Sequence, residues 1–319
     1  MPLTSELAAI LAHRGNAGDF TPATRQLIEG LMLSLGDDAE AWLTYLLSKS
    51  PYLADHEQLR NRAAGLELAN AIAEVICDAQ SLVEDTSYPQ WVQDLALHWN
   101  KNCVDIVTLN YDTLVELLLA THRDPENHVW GPSEVYRYPM RSLATRSGGG
   151  MFGGQVDRAP VQLLKLHGST NWFRDDVPLT AQAGQTYLGP MQATRNREQL
   201  GGVGVRPLIL PPAYTKGDFY DLAVIRSQWT AARDAIQYAD RLVIVGTSLR
   251  AADWDLTQLL ITGVLGPAGG VERESHIKPK EVILVNPDER PAKRSNEILR
   301  QHVEHRNSVE ELLATFPPD

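Results

Sequence analysis

The rhythm of apolar positions changes near residue 103. Before it, apolar residues recur every three or four positions, the period of a helix that buries one face. From His56 to Ala79, the residues Leu59, Ala63, Leu66, Ala69, Ile72 and Ile76 form one such stripe. Pro2 to Arg14 carries Leu7, Ile10 and Leu11 at the same spacing, behind Thr4 and Ser5 as candidate caps. This pattern predicts a helical layer, with residues 15–100 mostly helical.

Beyond residue 103 come short apolar runs: Cys103 to Leu109, Val161 to Leu166, Pro207 to Leu210, Arg241 to Val245 and Glu281 to Val285. Short apolar runs of this kind are the mark of parallel strands buried on both faces. Tyr111 to Thr121, Asp218 to Tyr238 and Asp253 to Val264 read as the crossover helices between them. The alternation predicts an α/β fold, a Rossmann-like doubly wound parallel sheet with an N-terminal helical layer, all of residues 1–319 forming one domain. Arg123 to Pro160, with Gly148, Gly149, Gly150, Gly153 and Gly154, reads as a long loop or a lid over the site.

Composition narrows the function classes. The chain carries 29 Lys plus Arg against 40 Asp plus Glu, a formal charge of −11, so no basic footprint for a nucleic-acid backbone is present. No stretch approaches the roughly 20 apolar residues of a membrane span, and the first residues lack a secretion signal, so the cytosol is the expected location. Cys77 and Cys103 are the two cysteines, too few for a four-cysteine zinc site; both are expected to be reduced and buried, and no metal ligands are nominated.

In an open parallel sheet, ligands bind beyond the carboxyl ends of the strands. There the first run ends in Thr108, Leu109, Asn110, Tyr111 and Asp112; the second in His167, Gly168 and Ser169; the fourth in Gly246, Thr247 and Ser248; the fifth in Asn286. Each cluster also has a plain structural reading. Asn110 and Asp112 stand where a helix cap belongs, and a lone histidine is more often hydrogen-bonded core than catalyst. Gly246 to Ser248 could be only a tight turn, and Asn286 before Pro287 an ordinary turn pair. Their convergence on one edge is what favours a site.

The ordered strings Thr108-Leu109-Asn110-Tyr111-Asp112, Lys165-Leu166-His167-Gly168-Ser169-Thr170-Asn171-Trp172, Val245-Gly246-Thr247-Ser248-Leu249 with Asp253, and Val285-Asn286-Pro287 resemble the motifs of sirtuin-like (silent-information-regulator-type) domains. The likeness is greatest to a bacterial branch associated with anti-phage defence and NAD depletion. The resemblance implies that His167 is the catalytic base and that Asn110 and Asp112 meet the nicotinamide ribose end. It implies that Gly246, Thr247 and Ser248 line the dinucleotide and that Asn286 meets the adenosine ribose. Thr108 and Gly168, within the same strings, complete the cofactor-binding set. Trp172 is either a pocket wall or, more plainly, a core residue.

Two departures from the family pattern shape the expected activity. The deacetylase branch has Gln where this chain has Leu109, and it carries a zinc module that two cysteines cannot supply. The resemblance therefore implies NAD hydrolysis to nicotinamide and ADP-ribose without zinc. A non-catalytic NAD-binding or nucleotide-sensing module is the alternative, with protein deacylation ranked below both. Expected partners are NAD or a related nucleotide, further copies of the chain, or a separate sensor protein, with no nucleic acid and no membrane. The second departure is at the start, where Met1 to Leu7 resembles the lead-in that follows the family's first strand and glycine-rich loop. Both are expected to be missing, and to be encoded upstream. Backbone N–H bonds to charged groups contribute roughly 1.5–3 kcal/mol each, so a chain without the loop is expected to bind NAD poorly.

Overall fold

The computed structural model describes residues 4–84, 86–122, 135–136, 138–143, 151–152, 161–175, 185–193, 204–213, 217–247, 249, 253–266 and 281–316. Ser248 and most of the Arg123–Pro160 stretch, with its six glycines, lie outside the described residues.

The first hundred residues are helical, as the apolar period predicts. Helices α1 (Thr4–Ala17), α2 (Pro22–Leu35), α3 (Ala39–Leu47), α4 (Asp55–Glu84) and α5 (Gln90–Lys101) follow one another. Local chemistry starts two of them. Thr21 caps α2 by accepting the Thr24 N–H, with Pro22 in the first turn, and Asp38 caps α3 by accepting the Ala41 N–H. Helices α1 to α4 share one core around Leu11, Trp42, Leu43, Leu46, Leu68 and Ile72. The buried face of α4 follows the expected stripe in its second half, at Ala69, Ile72 and Ile76, but not in its first. Leu59 is 68% exposed, and the early turns bury Asn61, Ala64, Gly65 and Leu68 instead. Gly65 sets this face: a Cβ there would stand 2.6 Å from Leu47, so α3 and α4 cross at a glycine. Cys77 is buried in α4, whereas Cys103 is exposed just beyond α5 at φ 51, outside any strand, against the expectation that both are buried.

Among the described residues the strands form three sheets. Strands β1 (Ile106–Thr108) and β4 (Leu163–Lys165) are a parallel pair, with Ile106 opposite Leu163 and Thr108 opposite Lys165. Strands β8 (Arg241–Val245), β9 (Glu281–Val285) and β10 (Glu304–Arg306) are parallel in that spatial order. A mixed sheet has the order β3-β2-β6-β5-β7, from β2 (Met140–Ser142), β3 (Met151–Phe152), β5 (Gly168–Asp175), β6 (Thr186–Leu188) and β7 (Val205–Ile209). Here the structure corrects the sequence twice. The Pro207–Leu210 run falls largely in β7, antiparallel to β5, and so does not join the parallel strands. Strand β5 has no counterpart among the apolar runs because its first half is polar, yet seven of its eight residues are buried.

The remaining helices are α6 (Leu114–Thr121), α7 (Gly217–Tyr220), α8 (Ala223–Tyr238), α9 (Trp254–Leu265), α10 (Arg290–Leu299) and α11 (Val309–Leu313). Helices α8 and α9 cover one face of the parallel strands. Ala231, Ala232 and Ile236 of α8 and Leu259, Leu260 and Val264 of α9 share a cluster with Leu164, Val282 and Leu284. The chain is thus a mixed α/β protein. Among the described residues no helix is long and apolar enough to cross a membrane.

Candidate functional site

The expected residues follow four parallel strands. The pairing of Thr108 with Lys165 puts Asn110 and His167 each two residues past the end of a neighbouring strand, and the Leu166 N–H donates to the Thr108 carbonyl at 3.0 Å. Adjacent strands lie about 4.8 Å apart, so the two residues emerge side by side. The Asn110 side chain is exposed and takes part in no hydrogen bond among the described residues; its N–H donates to Thr108 Oγ1 at 3.1 Å. His167 is half-buried, its ring centroid 6.2 Å from that of Tyr111 and 6.3 Å from that of Trp229. Trp229 donates its indole N–H to the Leu166 carbonyl at 3.0 Å, and Tyr111 its hydroxyl to the Leu210 carbonyl at 2.5 Å. Burial, with a smaller contribution from Glu40, pushes the Tyr111 phenol above its ordinary value. It stays a neutral donor at physiological pH.

The loop between β1 and α6 is held from three sides. The Tyr111 carbonyl accepts from the Thr170 N–H at 2.8 Å and from Ser169 Oγ and Thr170 Oγ1 at 3.2 Å. Gln80 of α4 and Thr113 make a reciprocal pair, Thr113 N–H to Gln80 Oε1 at 2.9 Å and Gln80 Nε2 to Thr113 Oγ1 at 2.7 Å. Lys165 donates its ammonium to the Asp112 carbonyl and, at 2.9 Å, to Glu116 Oε1. That ion pair is dry, with the lysine side chain 1% and the glutamate 0% exposed. Tyr136 also donates its hydroxyl to Glu116 Oε1, and its phenol is raised well above the ordinary value by burial first and Glu116 second. A buried lysine is rare unless paired. Lys165 inside Leu163-Leu164-Lys165-Leu166 was the available sequence signal for this network. Its partners, 53 and 49 residues away, were not visible.

Several expected ligand contacts have structural work to do. Asp112 is buried and its Oδ1 accepts the Leu114 N–H at 3.1 Å, opening α6. Thr247 Oγ1 accepts the Leu249 N–H at 3.2 Å. Asn286 donates to the Thr247 carbonyl at 3.1 Å and accepts the Asp288 N–H at 2.9 Å, tying the turn after β8 to the turn after β9. Gly246 is exposed at φ 69 with open space where a Cβ would stand. Trp172 is fully buried, edge-on to Tyr136 with ring centroids 5.2 Å apart, and is core rather than pocket wall. The two halves of the site meet through Leu249, which is buried in one apolar cluster with Leu109 and Leu166.

Gly168 is required by its backbone. It sits at φ 79, and a Cβ would lie 2.1 Å from the Leu208 carbonyl oxygen of β7. Gly168→Ala is expected to destabilise the fold by ~3 kcal/mol, combining left-handed strain with overpacking against a strand. Urea unfolding of the variant measures this; a loss under ~1 kcal/mol would show that β5 and β7 part easily.

Comparison with protein-family models, curated proteins and solved structures gives no match. Function therefore has to be read from these residues. Among the described residues no group of His, Cys, Asp and Glu is placed to hold a metal ion.

Proposed function

We propose that this chain is a sirtuin-like NAD glycohydrolase on a Rossmann-like doubly wound sheet, cleaving NAD to nicotinamide and ADP-ribose. The observation that carries this reading is the juxtaposition of Asn110 and His167 beyond paired parallel strands, one amide open to solvent beside one imidazole set between two rings. Cleavage breaks the bond between the nicotinamide nitrogen and the ribose. The bonding electron pair leaves with nicotinamide, which becomes neutral, and water attacks the cationic sugar carbon from the opposite face. Asn110 orients that water through its amide, and His167 takes the proton it loses. Asp112 contributes a nearby negative charge to the cationic sugar while its Oδ1 holds the start of α6. Tyr111 and Trp229 fix the imidazole plane.

The engagement of Asp112, Thr247 and Asn286 in turns favours a second reading, a module that binds NAD or another nucleotide without turnover. One experiment separates the two. Purified chain is incubated with NAD while nicotinamide and ADP-ribose are quantified, and NAD binding is followed by calorimetry. Stoichiometric release over time is the expected result. Binding without release would establish the sensor, and neither binding nor release would remove NAD from both readings.

A further inference from the structure

An arginine near the end of β5 is buried with part of its donor fork unused. Arg174 is 5% exposed, and its Nη1 has no hydrogen-bond partner among the described residues. Taking a guanidinium out of water is costly unless its donors are answered, and arginine is rarely buried for packing alone. The register of the mixed sheet sets more positive charge beside it. Arg174 stands directly opposite Arg206 of β7 on one side and Thr186 of β6 on the other. Direct partners in antiparallel strands share a face with their Cβ atoms ~5 Å apart, and like charges so placed repel.

A third arginine joins them from the helical layer. Arg62 of α4 repels both guanidinium groups, and it and Arg206 are half-buried. Burial is the first cause that lowers the Arg206 guanidinium below its ordinary value, with Arg174 and Arg62 next. Burial also lowers Arg174, and Arg62 adds to this while Asp175 opposes it. Asp175 is the neighbour of Arg174 in sequence, so strand alternation turns it to the opposite face, where Tyr187 donates its hydroxyl to Oδ2 at 3.3 Å. Arginine does not shed its proton under such pressure, so all three remain charged. Among these four groups, three positive charges against one negative leave two unanswered, in a chain whose formal charge is −11.

We propose that Arg174, Arg206 and Arg62, with the Thr186 hydroxyl in the same row, form a binding site for the phosphate group of a small molecule. A phosphate near neutral pH carries close to two negative charges and three acceptor oxygens, which matches the two unanswered charges and supplies the buried Nη1 with an acceptor. A carboxylate brings one charge and leaves one behind. Guanidinium forks meet phosphate oxygens in pairs, and the hydroxyl adds a neutral donor. The site is separate from the Asn110 and His167 edge. Arg174 lies six residues beyond Gly168 on β5, up to ~20 Å along an extended strand, so the assignment holds whichever ligand that edge takes. Free phosphate and a phosphate ester share the chemistry that this row recognises.

The test is calorimetry of the 319-residue chain at neutral pH and fixed ionic strength, with inorganic phosphate, glycerol phosphate and acetate as the probes. One of the two phosphates is expected to saturate a single site per chain with Kd below ~1 mM, and acetate to bind at least ~10-fold more weakly. Tighter binding of glycerol phosphate assigns the site to esters, and tighter binding of inorganic phosphate assigns it to the free ion. Arg174→Lys keeps the charge but loses the fork, and is expected to weaken binding at least ~10-fold. Arg62→Gln is expected to weaken it as well, and in the absence of phosphate to unfold at the same or a higher urea concentration than the parent, because it relieves repulsion. Failure of both phosphates to saturate, acetate binding as tightly, or undiminished binding by either variant would overturn the proposal. So would a lower urea midpoint for phosphate-free Arg62→Gln, which would mean that these arginines are balanced within the protein.

Discussion

Replacing Lys165 with methionine is expected to destabilise the protein by about 3–5 kcal/mol, the loss typical of removing one partner from a buried ion pair. Methionine fills the space of the lysine stem, so the loss is electrical. Glu116 is fully buried, and its Oε2 has no hydrogen-bond partner among the described residues even with Lys165 in place. Without the ammonium, the carboxylate keeps only the Tyr136 hydroxyl among the described residues and is left a buried charge without its counter-ion, and the Asp112 carbonyl loses its donor. The double variant Lys165→Met with Glu116→Gln is expected to recover more than half of the loss, because the stranded charge goes with it. Urea unfolding of both single variants and the double variant measures the coupling. A Lys165→Met loss below ~1 kcal/mol would mean that water reaches Glu116, and the network would not be the anchor of the Asn110 loop.

The second large effect is on turnover. In preparations that release nicotinamide, His167→Ala and Asn110→Ala are each expected to lower kcat by about 10²- to 10⁴-fold, the usual worth of a positioned base and of the group that orients its water. Stability separates a chemical role from a structural one. Asn110 is exposed and its side chain touches no hydrogen-bonding partner among the described residues, so Asn110→Ala is expected to unfold within ~0.5 kcal/mol of the parent. Ser169→Ala serves as the neighbouring control. Its hydroxyl is one of three donors on the Tyr111 carbonyl, and its loss should leave kcat within a few-fold. Retention of near-parental NAD cleavage by either His167→Ala or Asn110→Ala would remove that residue from the mechanism.

Local periodicity made much of the architecture legible. Helices α1, α4, α8 and α9 and strands β8 and β9 stand close to where apolar spacing puts them, because helix and strand periods are written by neighbours within a few positions. The polar residues after each parallel run were equally visible. Leu59 shows the limit: its spacing fits the stripe on α4, but the close approach of Leu47 to Gly65 turns a different face inward. Strand β5 shows another. Its Ser169, Thr170 and Asn171 extend no apolar run, and they are buried because partners far along the chain accept their hydrogen bonds.

By itself, then, the sequence determined the mixed α/β class, the helical layer ahead of the strands, and the delivery of Asn110, His167, Gly246 and Asn286 to strand ends. Only the tertiary structure decided which of those residues are spent on turns and which stay open. It paired Lys165 with Glu116 and Gln80 with Thr113, demanded glycine at 168 for the sake of Leu208, and, among the described residues, divided the parallel strands between two sheets. The physical reason is range. Dihedral preference and amphipathic period act over one or two turns of chain, whereas a buried charge, a close backbone approach or a strand edge acquires its energy from a partner dozens of residues away, which no local pattern specifies.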